Sequence, residues 1–279
     1  MKGTVYKSTG SWYTVKSQNG TFYECRLKGK FRIEGIKSTN PVAVGDRVLF
    51  EVETKGDETI GIIYEIEERE NYIIRKSVNL SKQTHIIAAN IDIAFLLVTL
   101  NNPPTFTTFI DRFLITAEAY HVKAVLLFNK IDTYTEEEIL EIKYLAHLYR
   151  SIGYDCIGIS AKTGKNIDKV KALMQHKVSM FSGHSGVGKS TLINTIEPSL
   201  DLKTSEISEQ HLQGQHTTTF AEMYDLSFDA QIIDTPGIKG FGIVDMEKHE
   251  IGNYFPEFFK LKSECKFHNC LHLDEPKCA

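Results

Sequence analysis

The sequence predicts a multidomain protein: an all-β barrel of OB type over residues 1–68, a central α/β P-loop domain of permuted chain order over 69–245, and a small metal-binding module over 246–279. Three observations carry this. Short runs rich in Val, Ile, Tyr and Phe, separated by Gly-containing turns, fill the first seventy residues. From about residue 70 apolar strands alternate with amphipathic helices. Three cysteines and a histidine crowd the C-terminal end.

A chain of 279 residues suits two or three domains. Its 42% hydrophobic and 24% charged residues describe an ordinary globular protein. The longest apolar runs, 93–100 and 124–128, are too short to cross a bilayer, and "MKGTVYKSTG" lacks the apolar centre of a signal peptide. A cytoplasmic protein without a membrane partner is expected. Nothing in the pattern signals an oligomer interface, so a monomer is expected too. The net charge of −4 argues against nucleic-acid binding by bulk charge, yet residues 1–50 hold nine Lys and Arg against three acids. A basic module on an acidic chain is consistent with contact to RNA phosphates, although random clustering on a solvated surface produces the same count.

The runs "TVYKS", "WYTVKS", "TFYECRL", "RVLFEVE" and "IGIIYEIEE" read as five strands broken by "TG", "QNG", "KGK", "VGD" and "KGD". Five strands in under seventy residues fit a small barrel. An OB barrel leads and an SH3-like barrel is the alternative, which strand count alone does not separate. Strands follow at 91–100, 123–130, 155–160 and 177–183, with helices at 105–121, 135–153 and 166–174 between them. This alternation builds a mostly parallel sheet covered by helices. Two further strand-like runs, 219–226 and 230–235, precede an aromatic segment, "YFPEFFKL".

The strongest motif is "GHSGVGKS" with the Thr that follows: Gly183, His184, Ser185, Gly186, Val187, Gly188, Lys189, Ser190 and Thr191. A strand runs into it and a helix leaves it. Such glycines let backbone N–H groups converge on phosphate at a helix N-terminus. Lys189 would reach the β- and γ-phosphates and the Ser190 hydroxyl would ligate Mg²⁺. "IIDTPG" supplies Asp234 for Mg²⁺ and the Gly237 N–H for the γ-phosphate. "NKID" supplies Asn129, Lys130 and Asp132. The Asp132 carboxylate can accept from both guanine N1–H and the exocyclic amine, and adenine lacks that donor pair. Ser160, Ala161 and Lys162 end the next strand, where backbone N–H groups can meet guanine O6.

In guanine-nucleotide-binding domains the phosphate loop ordinarily precedes the base-reading loop. Here it follows by more than fifty residues. A sheet does not record which surface loop was cut, so circular permutation reconciles the two. Between the phosphate loop and "DTPG" lies the polar stretch 204–220, where a switch loop is expected. Thr217, Thr218 and Thr219 offer the hydroxyl that completes Mg²⁺ coordination, with Thr218 favoured. Ile238 stands where many GTPases carry a water-orienting Gln. His216 is the nearest polar substitute, a plain surface histidine being the alternative.

Cys265, Cys270, His272 and Cys278 form a set of three thiolates and one imidazole, which suits a closed, structural zinc site. His268 lies too close to Cys270 to join them without crowding. Cys25 and Cys156 read as buried, reduced thiols.

Taken together, "RKSVNLSKQTHIIAANID", "NKID", "SAKTG", "GHSGVGKSTLIN", "GQHTTT", "DTPG", "YFPEF" and the Cys-Cys-His-Cys spacing resemble the circularly permuted bacterial GTPases of the ribosome small-subunit-dependent GTPase A family. The resemblance spans essentially the whole chain. It implies an OB barrel, a permuted GTPase domain and a zinc module. It also implies binding of GTP and GDP, and GTP hydrolysis stimulated by the small ribosomal subunit and its ribosomal RNA during late maturation. A catalytic role for His216, alongside Lys189 and Thr218, is implied as well. Two features depart from the family. The chain stops one residue after Cys278, where a helical tail usually follows, and "LQGQHTTT" lacks the basic residue the family tends to place beside the Gly and His. The rival readings are a signalling switch acting on a protein, an RNA-binding module that holds GTP without turnover, and an ATP-using P-loop enzyme.

Overall fold

The computed structural model describes residues 1–29, 41–55, 58–76, 84–201, 221–234, 246–247 and 249–279. The first five strands are β1 (Lys2–Ser8), β2 (Tyr13–Ser17), β3 (Phe22–Leu27), β4 (Arg47–Lys55) and β5 (Glu58–Ile66). They run β1-β2-β3-β5-β4, and β4 pairs back onto β1, which closes the barrel. β3 and β5 pair in parallel and the other neighbours are antiparallel. This order with one parallel pair is the OB arrangement, so the topology decides between the two barrel types that strand count left open.

Alternation along these strands sends Val5, Tyr13, Val15, Cys25, Val48, Phe50 and Ile63 into one core, joined by Val42 from a loop. Burial pushes the Cys25 thiol up to about 12, consistent with an inert structural thiol. Gly61 is required where β5 crosses β3, because a Cβ there would lie 2.2 Å from Cys25 Sγ. The chain leaves the barrel through a polar lock. Arg69 grips Asp46 with Nε at 2.6 Å and Nη2 at 2.7 Å, and both side chains are buried.

A two-stranded antiparallel ribbon follows, β6 (Tyr72–Lys76) and β7 (Thr84–Ala89). Sequence periodicity marks no strand here, because neither arm alternates apolar with polar residues and the intervening "SVNLSKQ" holds no Gly or Pro. Asn71 exchanges hydrogen bonds of 2.8 Å with both backbone groups of Ile91 and so fixes the exit from this ribbon.

The strand–helix alternation then appears as β8 (Ile93–Val98), α1 (Thr107–Ala119), β9 (Lys123–Phe128), α2 (Glu136–Ser151), β10 (Asp155–Gly158), α3 (Ile167–Met174), β11 (Val178–Ser182) and α4 (Lys189–Ile196). β12 (Glu222–Leu226), β13 (Ala230–Asp234) and α5 (Pro256–Leu261) complete the set. α2 starts at Thr135 with a capping box. The Thr135 hydroxyl accepts from the Glu138 N–H, and the Glu138 carboxylate accepts from the Thr135 N–H.

The chain divides into two compact units. The first holds the barrel, β6, β7, nearly all of β11, and β12 with β13. Its strands run β11-β13-β12-β1-β2-β3-β5-β4. The second holds β9, β10 and nearly all of β8, with α1, α2, α4, the Gly183–Lys189 loop and the C-terminal residues. β10, β9 and β8 lie side by side there, and all of β8 is buried. That burial on both faces explains why "IAFLLV" is continuously apolar rather than alternating. No helix among the described residues is long and apolar enough to cross a membrane.

Candidate nucleotide site and metal cluster

The second unit brings three of the sequence-marked loops together. β9 ends at Phe128 and hands Asn129 to the turn, where the side chain is buried. The Asn129 Nδ2 donates to the Val187 carbonyl of the glycine-rich loop at 2.8 Å. Its Oδ1 accepts from the Ala161 N–H at 3.0 Å. One amide therefore staples "NKID", "GHSGVGKS" and "SAK". Lys130 takes a positive φ of 66°, and its ammonium donates to the Gly186 carbonyl at 2.9 Å and the Asn102 carbonyl at 2.5 Å. Burial lowers the Lys130 pKa, and the Asp132 carboxylate works against that. Asp132 is exposed, which leaves its carboxylate accessible from outside.

Ser160 and Ala161 are buried and Lys162 is exposed. The Ser160 hydroxyl accepts from the Thr163 N–H at 3.1 Å, which tightens the turn after β10. From α4, the Thr195 hydroxyl donates to the Ala161 carbonyl at 2.8 Å. The helix that follows the glycine-rich loop is thus tied to the "SAK" turn as well.

The loop itself leaves β11 at Ser182 and enters α4 at Lys189. Gly183, Gly186 and Gly188 have φ of 143°, 82° and 100°, values an L side chain rarely adopts. Gly188 is doubly constrained, since a Cβ there would sit 2.6 Å from Asn129 Nδ2. The Lys189 ammonium folds back to the carbonyls of Gly183, at 2.6 Å, and His184, at 2.9 Å. Ser185 and Gly186 face solvent, Val187 is buried, and Ser190 and Thr191 are half-buried in the first turn of α4. This cradle, closed to any Cβ at Gly188 and carrying an inward-curled lysine at a helix N-terminus, fits a polyphosphate.

Three residues absent from the sequence reading take part. Asn102 supplies its carbonyl to Lys130, Thr195 reaches Ala161, and Phe109 of α1 lies against the His184 imidazole with ring centroids 4.0 Å apart. Burial, and then the charge of Lys189, lower the His184 pKa. None carries a signature: a backbone carbonyl has no residue identity, and Thr195 and Phe109 look like ordinary helix residues.

Asp234 closes β13 in the first unit and is half-buried. His216, Thr217, Thr218, Thr219, Gly237 and Ile238 lie outside the described residues.

At the C-terminus the ligand atoms of Cys265, Cys270, His272 and Cys278 all fall within 4.8 Å of one another. His272 Nδ1 is 3.3 Å from Cys278 Sγ and 3.7 Å from Cys265 Sγ, so Nδ1 is the nitrogen turned to the sulfurs. Donors spaced at about 3.5–4 Å are what a tetrahedral ion with bonds of about 2.0–2.3 Å needs, and the set fits one metal. His268 is outside the cluster. The Glu275 carboxylate accepts from the N–H groups of Leu271, at 2.7 Å, and Leu273, at 2.8 Å, which shapes the loop around His272. Phe258 of α5 stacks on the His272 ring, with centroids 5.5 Å apart.

The RsgA GTPase family pattern matches residues 66–244, and that of the RsgA N-terminal domain matches 2–63. A Christiangramia forsetii protein named small ribosomal subunit biogenesis GTPase RsgA is 76% identical over 279 residues, spanning 100% of this chain and 89% of that protein. A Bacteroides fragilis protein of the same name is 57% identical over the same span and proportions. Among solved structures, YjeQ from Thermotoga maritima superimposes with a TM-score of 0.79 at 33% identity, covering 99% of this chain and 88% of that one. YloQ, described as a circularly permuted GTPase, gives 0.73 at 30% identity, covering 100% and 85%.

Proposed function

The chain belongs to the RsgA GTPase family, and from that premise we propose that it binds and hydrolyses GTP in late maturation of the small ribosomal subunit, with turnover stimulated by that subunit. The observation that carries this reading is the Asn129 staple. It holds a base-reading loop and a phosphate-binding loop at one place although they stand in inverted chain order.

Each residue then has a defined task. Asp132 selects guanine, and the aliphatic stem of Lys130 covers the base. Gly183 to Gly188 present backbone N–H groups to the phosphates. Lys189 leaves the two carbonyls that now hold it and neutralises the β- and γ-phosphates. His216 orients the attacking water in the subunit-bound protein. Ser190, Thr218 and Asp234 are read from their motifs as the residues that hold magnesium, with Gly237 sensing the γ-phosphate. Magnesium, when bound with the nucleotide, supplies charge neutralisation for the transferring phosphoryl group. Cys265, Cys270, His272 and Cys278 hold zinc as a structural ion. The basic barrel contacts ribosomal RNA, and the protein works as a cytoplasmic monomer. The domains follow the limits 1–68, 69–245 and 246–279.

GTP turnover measured with and without purified small subunits tests the whole reading. Subunit-dependent acceleration is expected. Turnover that stays negligible with subunits present would leave a GTP-holding RNA-binding protein instead.

A further inference from the structure

β1 of the barrel is a strand of the same sheet as β12 and β13. Lys7 pairs with Glu222 across β1 and β12, and Glu222 pairs with Asp234 across β12 and β13. Residues directly opposite one another in a ladder project to the same face. A single rung therefore runs from a barrel lysine, through a carboxylate, to the aspartate read as a magnesium ligand. The Lys7 ammonium lies 3.2 Å from the Glu222 carboxylate.

The opposite face of the same strands carries a second attachment. Asp225 is three residues from Glu222 and so points the other way. Its Oδ1 accepts from the Tyr6 hydroxyl at 2.7 Å and from Gln231 Nε2 at 3.3 Å. Its Oδ2 meets the Lys16 ammonium at 2.5 Å. Lys16 in turn lies over the rings of Tyr6, at 5.4 Å, and Phe22, at 5.6 Å. Tyr6 of β1 and Lys16 of β2 thus meet one carboxylate of β12, with the Phe22 ring of β3 beside the lysine. β12 is fastened to the barrel on both faces, and β13, its antiparallel neighbour, ends in Asp234.

We propose that Lys7 and Asp225 are positioning residues for GTP hydrolysis: they hold β12 to the barrel so that docking of the barrel on the small subunit is felt at Asp234. This rests on the subunit-stimulated GTPase reading above. Glu222 and Asp234 are like charges in directly opposed positions, which is unfavourable unless a cation balances them. Lys7 supplies a cation to Glu222 from the barrel side. A movement of the barrel on the subunit is carried through this rung and the Asp225 attachment to the end of β13, without touching the nucleotide.

The test compares the wild-type chain with Lys7→Ala, Lys7→Arg and Asp225→Ala. Intrinsic turnover without subunits should stay within twofold of wild type in all of them, which also establishes folding. With saturating small subunits, kcat should fall at least fivefold in Lys7→Ala and Asp225→Ala, while the subunit concentration giving half-stimulation changes by less than twofold. Lys7→Arg should retain full stimulation. Binding of a non-hydrolysable GTP analogue should tighten on adding subunits to wild type and not to Lys7→Ala. Full stimulation in Lys7→Ala, or a loss seen only as weaker subunit affinity, overturns the proposal. Should Asp225→Ala lose intrinsic turnover, the exposed Lys7 variants decide alone. A wild-type chain that subunits do not stimulate would instead overturn the functional reading, and the inference with it.

Discussion

Asn129 and Val187 stand 58 residues apart and meet through one buried hydrogen bond of 2.8 Å. That bond joins the segment proposed to read a base to the segment proposed to cradle phosphate, and the reversed order of the two in the chain makes no difference to it.

Asn129→Ala removes the partner of two buried backbone groups, the Val187 carbonyl and the Ala161 N–H. Each orphaned group costs about 1–3 kcal/mol. The melting midpoint should fall by several degrees, and GDP affinity should fall at least tenfold in a fluorescent-nucleotide titration. Affinity equal to wild type would show that the staple does not organise the site.

Gly188→Ala puts a methyl group 2.6 Å from the same Asn129 amide at a φ of 100°. Either the loop or Asn129 must move, so nucleotide binding should be lost with little change in far-UV circular dichroism. Lys189→Ala should fold normally and lose GTP turnover by at least a hundredfold, because no other ammonium bonds to the Gly183 and His184 carbonyls among the described residues. Turnover retained in Lys189→Ala would remove the phosphate-loop assignment.

Much of this was legible beforehand, for physical reasons. Five short strands announced a barrel because β-branched and aromatic residues alternate between Gly turns. The continuous burial of β8 was readable as a continuous apolar run. What was not legible required closure in space. Only the pairing of β4 onto β1 and the parallel β3–β5 pair distinguish the OB order. The β6–β7 ribbon escaped because "YIIRK" and "THIIAA" do not alternate apolar with polar residues and no Gly or Pro stands between them. Phe109 against His184 was hidden because a helix residue does not announce which loop it touches. Cys265, Cys270, His272 and Cys278 were readable because few chemistries other than metal binding gather such residues in so short a segment.

Arg69 and Asp46 form a two-point ion pair in which the Asp46 carboxylate also accepts from the Ala43 N–H at 2.8 Å. With the Asp46 side chain wholly buried, Arg69→Met strands a charge. Removing one partner of such a pair costs about 3–5 kcal/mol. A urea titration of the full chain should show the barrel transition at lower denaturant, and an unshifted midpoint would contradict the buried pairing.

Asp225 gives a pH-dependent counterpart. Burial would raise its carboxyl, but the hydrogen bonds from Lys16, Tyr6 and Gln231 outweigh burial and hold it below the ordinary range. A carboxyl depressed in the fold contributes stability above its unfolded value of about 3.9, and that contribution is lost as pH falls through the folded value. The stability advantage of wild type over Asp225→Asn should therefore be full at pH 6 and shrink below pH 4. A gap in melting temperature that stays constant from pH 6 to pH 3 would contradict the assignment.

The C-terminal cluster makes the last prediction. Its residues contribute only Cys270 to the buried apolar set, while Phe259, Phe267, Leu271 and Leu273 are exposed, so packing alone supplies little to hold 262–279 in place. A metal that binds the folded arrangement and not the unfolded one contributes its binding free energy to folding, about 10–16 kcal/mol for structural zinc in small peptides at neutral pH. The purified chain should carry one equivalent of zinc by elemental analysis, and Cys270→Ser should lower it several-fold. Zinc removal by a strong chelator should expose the segment to limited proteolysis while leaving GDP affinity within twofold, because the Asn129 staple and the Lys189 ammonium bond to groups of the "SAK" turn and the glycine-rich loop, outside the cluster. Binding of small subunits should weaken in the same samples if the module is a docking element. A metal-free chain whose C-terminal segment resists protease as well as the loaded one would show that the four ligands converge without needing the ion.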